Sequence, residues 1–228
     1  MAFGSTAGPL VDAIHNQALL TYKVLPVSIG PVHTSILIPP LLAVAYLMLG
    51  SILPKLSKAI VGPRTLSGNV SADTRDAEST SRRGRTAGLA VASTVAIIKA
   101  SELLLLSSVP SEISFAILLT ACICQWLALD GAWSSLALAL VAAIGGPLAE
   151  LPLMALGCWS YDAPDYFPLQ YLLGADYGPN GLPGSTWAGL NLITAPCYFA
   201  VTTDAIALGR WFRAVPVTLT EAELTANK

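Results

Sequence analysis

Four ionisable side chains interrupt long apolar segments of this chain: Lys99, Glu102, Glu150 and Asp204. A charge at membrane depth costs at least a few kcal/mol, so such residues are functional candidates. Lys99 and Glu102 are three residues apart on a predicted helix, share a face and can neutralise each other. Three uses remain open for these groups: packing of a helix bundle, anchoring of a ligand hydroxyl or head group, and proton or substrate chemistry.

The depth of each carboxylate follows from its distance to the end of its segment. At about 1.5 Å per residue, Glu102 lies about 8 Å and Glu150 about 9 Å from the outer ends of their segments. We therefore expect the two carboxylates to meet at one depth, with Lys99 nearby. Asp204 lies about 8 Å from the opposite, cytosolic end of its segment, which argues against a dyad of Glu150 and Asp204.

The elements that position these residues are predicted membrane spans. Of the 228 residues 54% are hydrophobic and 11% are charged, against about 25% charged in soluble globular proteins. A spanning helix needs about 20 mostly apolar residues. The sequence therefore predicts an all-α, polytopic membrane helix bundle, a single domain over residues 1–228 with about five transmembrane helices: 33–54, 87–107, 112–129, 133–156 and 187–209.

The distribution of charge predicts the orientation. Residues 55–86 contain seven cations, whereas residues 157–186 contain three aspartates and no Lys or Arg. The positive-inside rule makes the first segment a mobile basic cytosolic loop and the second a lumenal interfacial loop. The tail 214–228 is then cytosolic. Residues 1–32 are predicted to be a lumenal interfacial segment, because prolines and a lysine break their apolar run.

Helix-breaking residues mark two of the predicted spans. The pair Pro39-Pro40 stands near the start of the first span, and Gly145-Gly146-Pro147 stands in the fourth. Such sites remove backbone donors, and neighbouring helices or a cavity must satisfy the freed carbonyls. Both positions are candidates for lining a pocket, and an ordinary kink is the alternative.

Several classes of partner are excluded. The net charge is −2 and the cations are gathered in one loop and at the C-terminal end, so we expect no nucleic-acid partner. His15 and His33 show no HxxE or HExxH spacing, which predicts neither a metal site nor a cofactor. The four cysteines lack a CxxC pair and are predicted to be small packing residues.

The C-terminal third resembles the last lumenal loop and last helix of the insulin-induced gene (Insig) family, sterol-regulatory membrane proteins of the endoplasmic reticulum. The resemblance is carried by YDAPDYF, then Trp187, then APCYFAVTTDAIALGRW. It extends at lower stringency over residues 33–213. The residues that fall in the family's pattern are Tyr161, Pro164, Asp165, Pro196, Cys197, Gly209 and Arg210, with weaker upstream matches at Pro39-Pro40, Pro54, Ala100-Ser101, Trp126 and Asp130.

This resemblance implies a bundle of six helices with an oxysterol pocket among them. The family's first helix has no evident counterpart here, so either residues 1–32 replace it or it is missing. The resemblance also implies a non-enzymatic role in sterol homeostasis, in which the protein holds a sterol-sensing escort protein or delivers the sterol pathway's reductase for degradation. The expected location is the endoplasmic-reticulum membrane, with several passes and a cytosolic C-terminus.

The resemblance and the polar groups together define candidate sites. The family's partner-gripping acidic residue falls on Asp130, near Trp126, in a two-residue cytosolic turn where we expect it to be exposed; a solvated turn aspartate before Gly131 is the alternative. Pocket positions of the family fall near Thr94 and near Glu112 or Ile113. The predicted lipid-binding residues are Pro39, Pro40, Thr94, Lys99, Glu102, Glu112 and Glu150.

Three functions compete. The leading hypothesis is a lipid-sensing or sterol-sensing membrane adaptor that regulates lipid synthesis through membrane protein partners. The second is a small membrane enzyme acting on a sterol-like lipid, with Glu102 or Glu150 as proton donor or acceptor. The third is a small-molecule transporter built on the interrupted helices.

Overall fold

The computed structural model describes residues 19–30, 32–53, 55, 78–107, 109–178 and 185–214, which form mainly helices. They are α1 (Ile38–Leu47), α2 (Glu78–Leu106), α3 (Ser111–Leu129), α4 (Trp133–Ala155), the short α5 (Pro168–Leu173) and α6 (Thr194–Ala214). A π-helical turn, Met48–Ile52, continues α1, and 3₁₀ turns lie at Ala175–Tyr177 and Ser185–Ala188. The predicted polytopic helical bundle is thereby confirmed.

Three of these helices are long and apolar enough to cross a membrane: Arg82–Leu106 within α2, all of α3 and all of α4. The apolar helix Ile38–Ile52 is shorter. Most of the predicted basic loop 55–86 lies outside the described residues, as do residues 215–228 of the predicted tail. The described end of that loop is already helical, because α2 begins at Glu78.

Short strands cover the end of the bundle that the sequence predicts to be lumenal. This end is named the lumenal end after that prediction, and the opposite end is named the cytosolic end. The strands are β1 (Leu20–Tyr22), β2 (Pro26–Ile29), β3 (Val32–Ser35) and β4 (Trp159–Tyr161). Strand β1 pairs antiparallel with β4, and β2 pairs antiparallel with β3. The predicted start of the first span at residue 33 is therefore wrong: residues 32–35 pair in a hairpin, and the helix begins at Ile38.

Helix α6 forms the centre of the bundle. It packs against α2, α3, α4 and the π-helical turn, and residues 202–208 are all buried. Because its neighbours rather than lipid cover it, α6 accommodates three consecutive buried polar residues, Thr202, Thr203 and Asp204. The predicted span 187–209 is displaced from the helix: residues 185–188 form the 3₁₀ turn, and Leu190 pairs with Tyr166 in an isolated bridge.

The predicted helix breakers do not break helices. Pro39 and Pro40 occupy the first turn of α1, where no intrahelical donor is needed. Helix α4 continues through Pro147 and Pro152 to Ala155. The interruption lies instead in the π-helical turn after α1, at a point where the chain meets α6.

Two glycines bring that π-helical turn and α6 into direct backbone contact. A Cβ atom on Gly50 would lie 2.6 Å from the carbonyl oxygen of Ala205, and one on Gly209 would overlap the carbonyl oxygen of Gly50. Ala205 and Gly209 are four residues apart, which is the small-xxx-small spacing that lets membrane helices approach closely. No larger side chain fits this seam.

Candidate functional site

Glu150 lies at the lumenal end of α4 and joins three elements. It is 9% exposed, and its Oε2 accepts hydrogen bonds from Tyr161 OH at 2.9 Å and Trp159 Nε1 at 3.2 Å. Its Oε1 accepts from Tyr198 OH of α6 at 2.7 Å. Three aromatic donors thus replace the water that burial removes from this carboxyl group.

The approach of Tyr198 depends on a glycine one turn earlier on α4. A Cβ atom on Gly146 would overlap the Tyr198 ring, whereas a Cβ on Gly145 would meet nothing within 4 Å. Because Gly146 and Glu150 are four residues apart, they share the α4 face on which the ring lies. Gly146 therefore provides space for a ring, and helix α4 continues through the glycine pair.

The expected meeting of Glu102 and Glu150 does not occur. Glu102 on α2 pairs with Lys99 at 2.5 Å, and the Lys99 side chain is 52% exposed while that of Glu102 is 14% exposed. The three hydrogen bonds that Glu150 accepts come from β4 and α6, and none comes from α2. The sequence-based prediction rested on distance along each helix, which does not determine which helix faces meet.

Thr94 belongs to a buried polar network between α2, α3 and α6. Gln125 Nε2 donates to Thr94 Oγ1 at 2.7 Å and to Ser93 Oγ at 3.0 Å, and Thr203 Oγ1 donates to Gln125 Oε1 at 3.0 Å. Thr94 Oγ1 in turn donates to the carbonyl of Ala200 at 3.3 Å. The Gln125 amide thus makes three hydrogen bonds to side chains of α2 and α6, so Thr94 serves packing of the bundle here.

Asp204 lies in the bundle near the π-helical turn, away from Glu150. It is 2% exposed, and its Oδ2 accepts from Tyr46 OH of α1 at 3.1 Å. The contact attaches α1 to α6 one turn before the Gly50–Gly209 seam. Asp204 and Glu150 thus hold different helices to α6.

The cytosolic turn between α3 and α4 is organised by Asp130. Its Oδ1 accepts from the Ala132 backbone N–H at 3.0 Å and from Ser135 Oγ at 2.7 Å, and its Oδ2 forms an ion pair with Arg210 Nη1 of α6 at 2.5 Å. Gly131, at φ +56°, makes the reversal possible. Trp126 Nε1 donates to the carbonyl of Ala132 at 3.0 Å.

The expected exposure of Asp130 is therefore wrong, because its side chain is only 13% exposed and its charge is already matched by Arg210. Sequence reasoning placed the residue correctly in a turn. It could not reveal that α6 ends beside that turn.

A cleft of about 320 Å³ opens at the lumenal end of the bundle, where α2 ends and α3 begins. Apolar Leu105, Val109 and Ile193 form part of its wall. The polar lining residues are Ser111, Ser114, Asp165 and Asn191, and Ala163 and Pro164 complete it.

Most polar groups in this cleft are already used within the protein. Asn191 Nδ2 donates to the carbonyl of Ala163 at 3.0 Å, and Asp165 Oδ1 accepts from the Leu192 backbone N–H at 2.8 Å. The hydroxyls of Ser111 and Ser114 have no partner within the described residues. These two groups, three residues apart on α3, are available to a ligand.

Sequence reasoning missed this cleft because its lining comes from four separate segments. Of the seven predicted lipid-binding residues, none lines it. Glu112 is exposed in the first turn of α3, beside Ser111, and Glu102 precedes Leu105 by one turn on α2. The one available signal was Asn191, a polar residue among apolar neighbours directly before α6.

Comparison with known proteins gives a fold. No family model and no curated protein matches the sequence. Two crystal structures match: MvINS, a mycobacterial Insig homologue from Mycobacterium vanbaalenii, and a cross-linked trimer of an MvINS cysteine variant. Each has 23% sequence identity and a TM-score of 0.63, over 96% of this chain and 94% of the MvINS chain. The chain therefore has an Insig-like fold.

Proposed function

We propose, from the fold shared with MvINS, that this protein is a non-enzymatic lipid-sensing membrane adaptor. It holds a sterol or related lipid by its polar end in the lumenal cleft and regulates lipid synthesis through membrane protein partners. The observation that carries the proposal is the cleft itself, which combines apolar walls with two serine hydroxyls that have no partner within the described residues.

The size of the cleft limits how a lipid enters. About 320 Å³ is at the lower end of the range for ligand pockets, roughly 300–1,000 Å³. A hydroxyl-bearing head or one end of a sterol fits, and the rest of the ligand extends along the apolar surface of α2 and α3. Ser111 and Ser114 then exchange hydrogen bonds with the ligand hydroxyl.

The predicted lipid-binding residues take supporting positions in this proposal. Glu112 stands at the rim beside Ser111, and the Lys99–Glu102 pair lies one turn deeper along α2 than Leu105. Thr94 and Glu150 hold the helices that surround the site. Pro39 and Pro40 lie in the first turn of α1, next to Ile38, which belongs to the hydrophobic cluster that contains Trp159 and Tyr161.

Helix α3 connects this cleft to the proposed partner surface. It carries Ser114 at its lumenal end and Trp126 at its cytosolic end, about 18 Å apart at 1.5 Å per residue. A ligand that favours one position of α3 also favours one arrangement of the Asp130 turn, which is the coupling an adaptor needs. A membrane partner of the escort-protein or reductase type binds at that turn, beside the half-exposed Trp133.

The proposed location is the endoplasmic-reticulum membrane, with the C-terminal end of α6 in the cytosol. It rests on the resemblance to the Insig family and on the arginines near that end. The mutual proximity of Arg210 and Asp130 is compatible with a partner that approaches from the cytosol.

A photoreactive sterol and a photoreactive diacylglycerol, each added to the purified full-length protein, test ligand binding. We expect saturable labelling of peptides containing Leu105, Ser114 or Asn191, and competition by the unlabelled lipid. Ser114→Leu fills the cleft and should reduce labelling at least tenfold. Thr120→Leu, an exposed position on the same helix, is the matched control and should not. Labelling that is unaffected by Ser114→Leu would place the lipid elsewhere and remove the observation on which the proposal rests.

A further inference from the structure

Arginines cluster at the cytosolic ends of two neighbouring helices. Helix α2 carries three near its beginning and α6 carries two at its end: Arg82, Arg83, Arg85, Arg210 and Arg213. Arg82, Arg85 and Arg213 are exposed, and Arg83 is half-buried. Within each helix, the spacing of three residues between Arg82 and Arg85, and between Arg210 and Arg213, directs two cations to one face.

The two sets of arginines lie at one level of the bundle. Helices α2 and α6 are antiparallel and touch where Thr94 Oγ1 donates to the Ala200 carbonyl. From that contact Arg82 lies twelve residues back along α2 and Arg213 thirteen residues forward along α6, or about 18 Å and 20 Å. The helices also meet at this end, because a Cβ on Gly84 would lie 3.5 Å from Trp211 Nε1.

Most of these charges lack a carboxylate partner. Within the described part of the chain the ion pairs are Lys99–Glu102 and Arg210–Asp130. Arg82, Arg83, Arg85 and Arg213 therefore present four positive charges that form no ion pair within the described residues. A bound anion would reduce their mutual repulsion.

We propose that this cluster binds the phosphate group of an anionic phospholipid in the cytosolic leaflet. Guanidinium groups bind phosphate oxygens in pairs of parallel hydrogen bonds, and basic pockets between helices on the cytosolic side suit anionic head groups. The neighbouring aromatic residues fit a lipid and not a free anion: the Trp211 and Phe212 rings lie 4.9 Å apart, and Phe212 is 52% exposed. Trp at this level typically lies at the membrane–water boundary.

This site is separate from the lumenal cleft, since it lies at the opposite end of α2 from Leu105. It also differs in chemistry, because Asp165 and the serines of the cleft offer no cation to a phosphate. The anionic-lipid site consequently does not depend on the proposed sterol or diacylglycerol site.

Native mass spectrometry of the full-length protein with phosphatidylglycerol and phosphatidylcholine in equal amounts tests the proposal. We expect preferential retention of phosphatidylglycerol by the wild type. Arg82→Gln, Arg85→Gln and Arg213→Gln together should weaken phosphatidylglycerol binding on the order of a hundredfold, at about fivefold for each cation removed. Lys23→Gln, which removes an exposed cation at the opposite end of the bundle, should leave it unchanged. Equal retention of both lipids by the wild type, or unchanged retention by the triple variant, overturns the proposal.

Two further arms keep the result independent of folding. The triple variant with lysine in place of the same three arginines preserves charge and should retain more than a tenth of wild-type binding, even if the glutamine variant unfolds. Raising the salt concentration should weaken phosphatidylglycerol binding to the wild type, and excess inorganic phosphate at constant ionic strength should not displace it. Displacement by inorganic phosphate would mean that the site holds a free anion and not a lipid.

Discussion

Tyr198 of α6 donates a 2.7 Å hydrogen bond to Oε1 of Glu150 on α4, and the ring reaches that position only because residue 146 is a glycine. The bond connects α6 to α4, and the same carboxyl group accepts hydrogen bonds from Trp159 and Tyr161 of β4. One carboxyl group therefore fixes α4, α6 and β4 relative to one another. Residues 48 positions apart in sequence thus form a single unit. This unit provides the lumenal framework next to which the cleft lies.

Removing the Tyr198 hydroxyl should destabilise the bundle. Tyr198→Phe keeps the ring but leaves Oε1 of a buried carboxyl group without that donor, which costs about 1–3 kcal/mol. Thermal unfolding of the detergent-solubilised protein, followed by circular dichroism, measures the change. Tyr171→Phe, at a 77% exposed ring, is the control and should unfold with the wild type. Equal midpoints for both variants would show that the hydrogen bond contributes nothing.

Adding one methyl group at Gly146 should have a larger effect than adding it at Gly145. In Gly146→Ala the new Cβ overlaps the Tyr198 ring, so the ring must move away from Glu150, at a cost of about 1–3 kcal/mol or more. Gly145→Ala meets open space and favours the helix. Denaturation of the two variants side by side measures the difference. Similar stability of both would contradict the close ring-to-backbone contact.

The seam between the π-helical turn and α6 provides a second comparison. In Gly209→Ala the Cβ overlaps a backbone carbonyl, that of Gly50, which cannot rotate away as a side chain can. We expect displacement of α1 from α6 and a loss of about 2 kcal/mol or more. Gly88→Ala, where a Cβ meets nothing within 4 Å, is the matched control.

Thermal unfolding of both variants in detergent, followed by circular dichroism, measures the loss. Equal unfolding midpoints for Gly209→Ala and Gly88→Ala would mean that the seam tolerates the methyl group.

The sequence predicted the parts of this fold that depend on local composition. Apolar length placed both ends of α3 and α4 and the C-terminal end of α2 within one residue, because a membrane helix must cover about 30 Å with apolar side chains. Apolar length did not place α6 correctly. This helix is covered by protein and not by lipid, so its composition does not follow that rule. Sequence-based prediction also failed at β1 and β4, since three residues are too few for an alternating pattern to emerge.

The side-chain partners were less predictable than the helices. Lys99 and Glu102 were paired correctly because their spacing of three residues is local to one helix. The partners of Glu150, Gln125 and Asp130 lie on other helices, and nothing in a single sequence records which faces meet. The cleft shares this difficulty, because its serines and Asn191 converge only after the bundle forms.

Asp130 and Arg210 should be energetically coupled across the cytosolic end of the bundle. Both side chains are more than half buried, and Asp130 also accepts from Ser135 and from the Ala132 backbone. We expect Asp130→Ala to cost more than Arg210→Ala, since it removes three contacts instead of one. The double variant should be less destabilised than the sum of the two, by about 1–2 kcal/mol of coupling. A double-mutant cycle of unfolding free energies in detergent measures this value. Asp162→Ala with Arg210→Ala, whose side chains lie at opposite ends of the bundle, should be additive.

Because a partner protein that binds Asp130 must compete with Arg210, Arg210→Gln should also strengthen any partner binding that depends on Asp130. Loss of such binding in Arg210→Gln would instead mean that the partner recognises the intact ion pair.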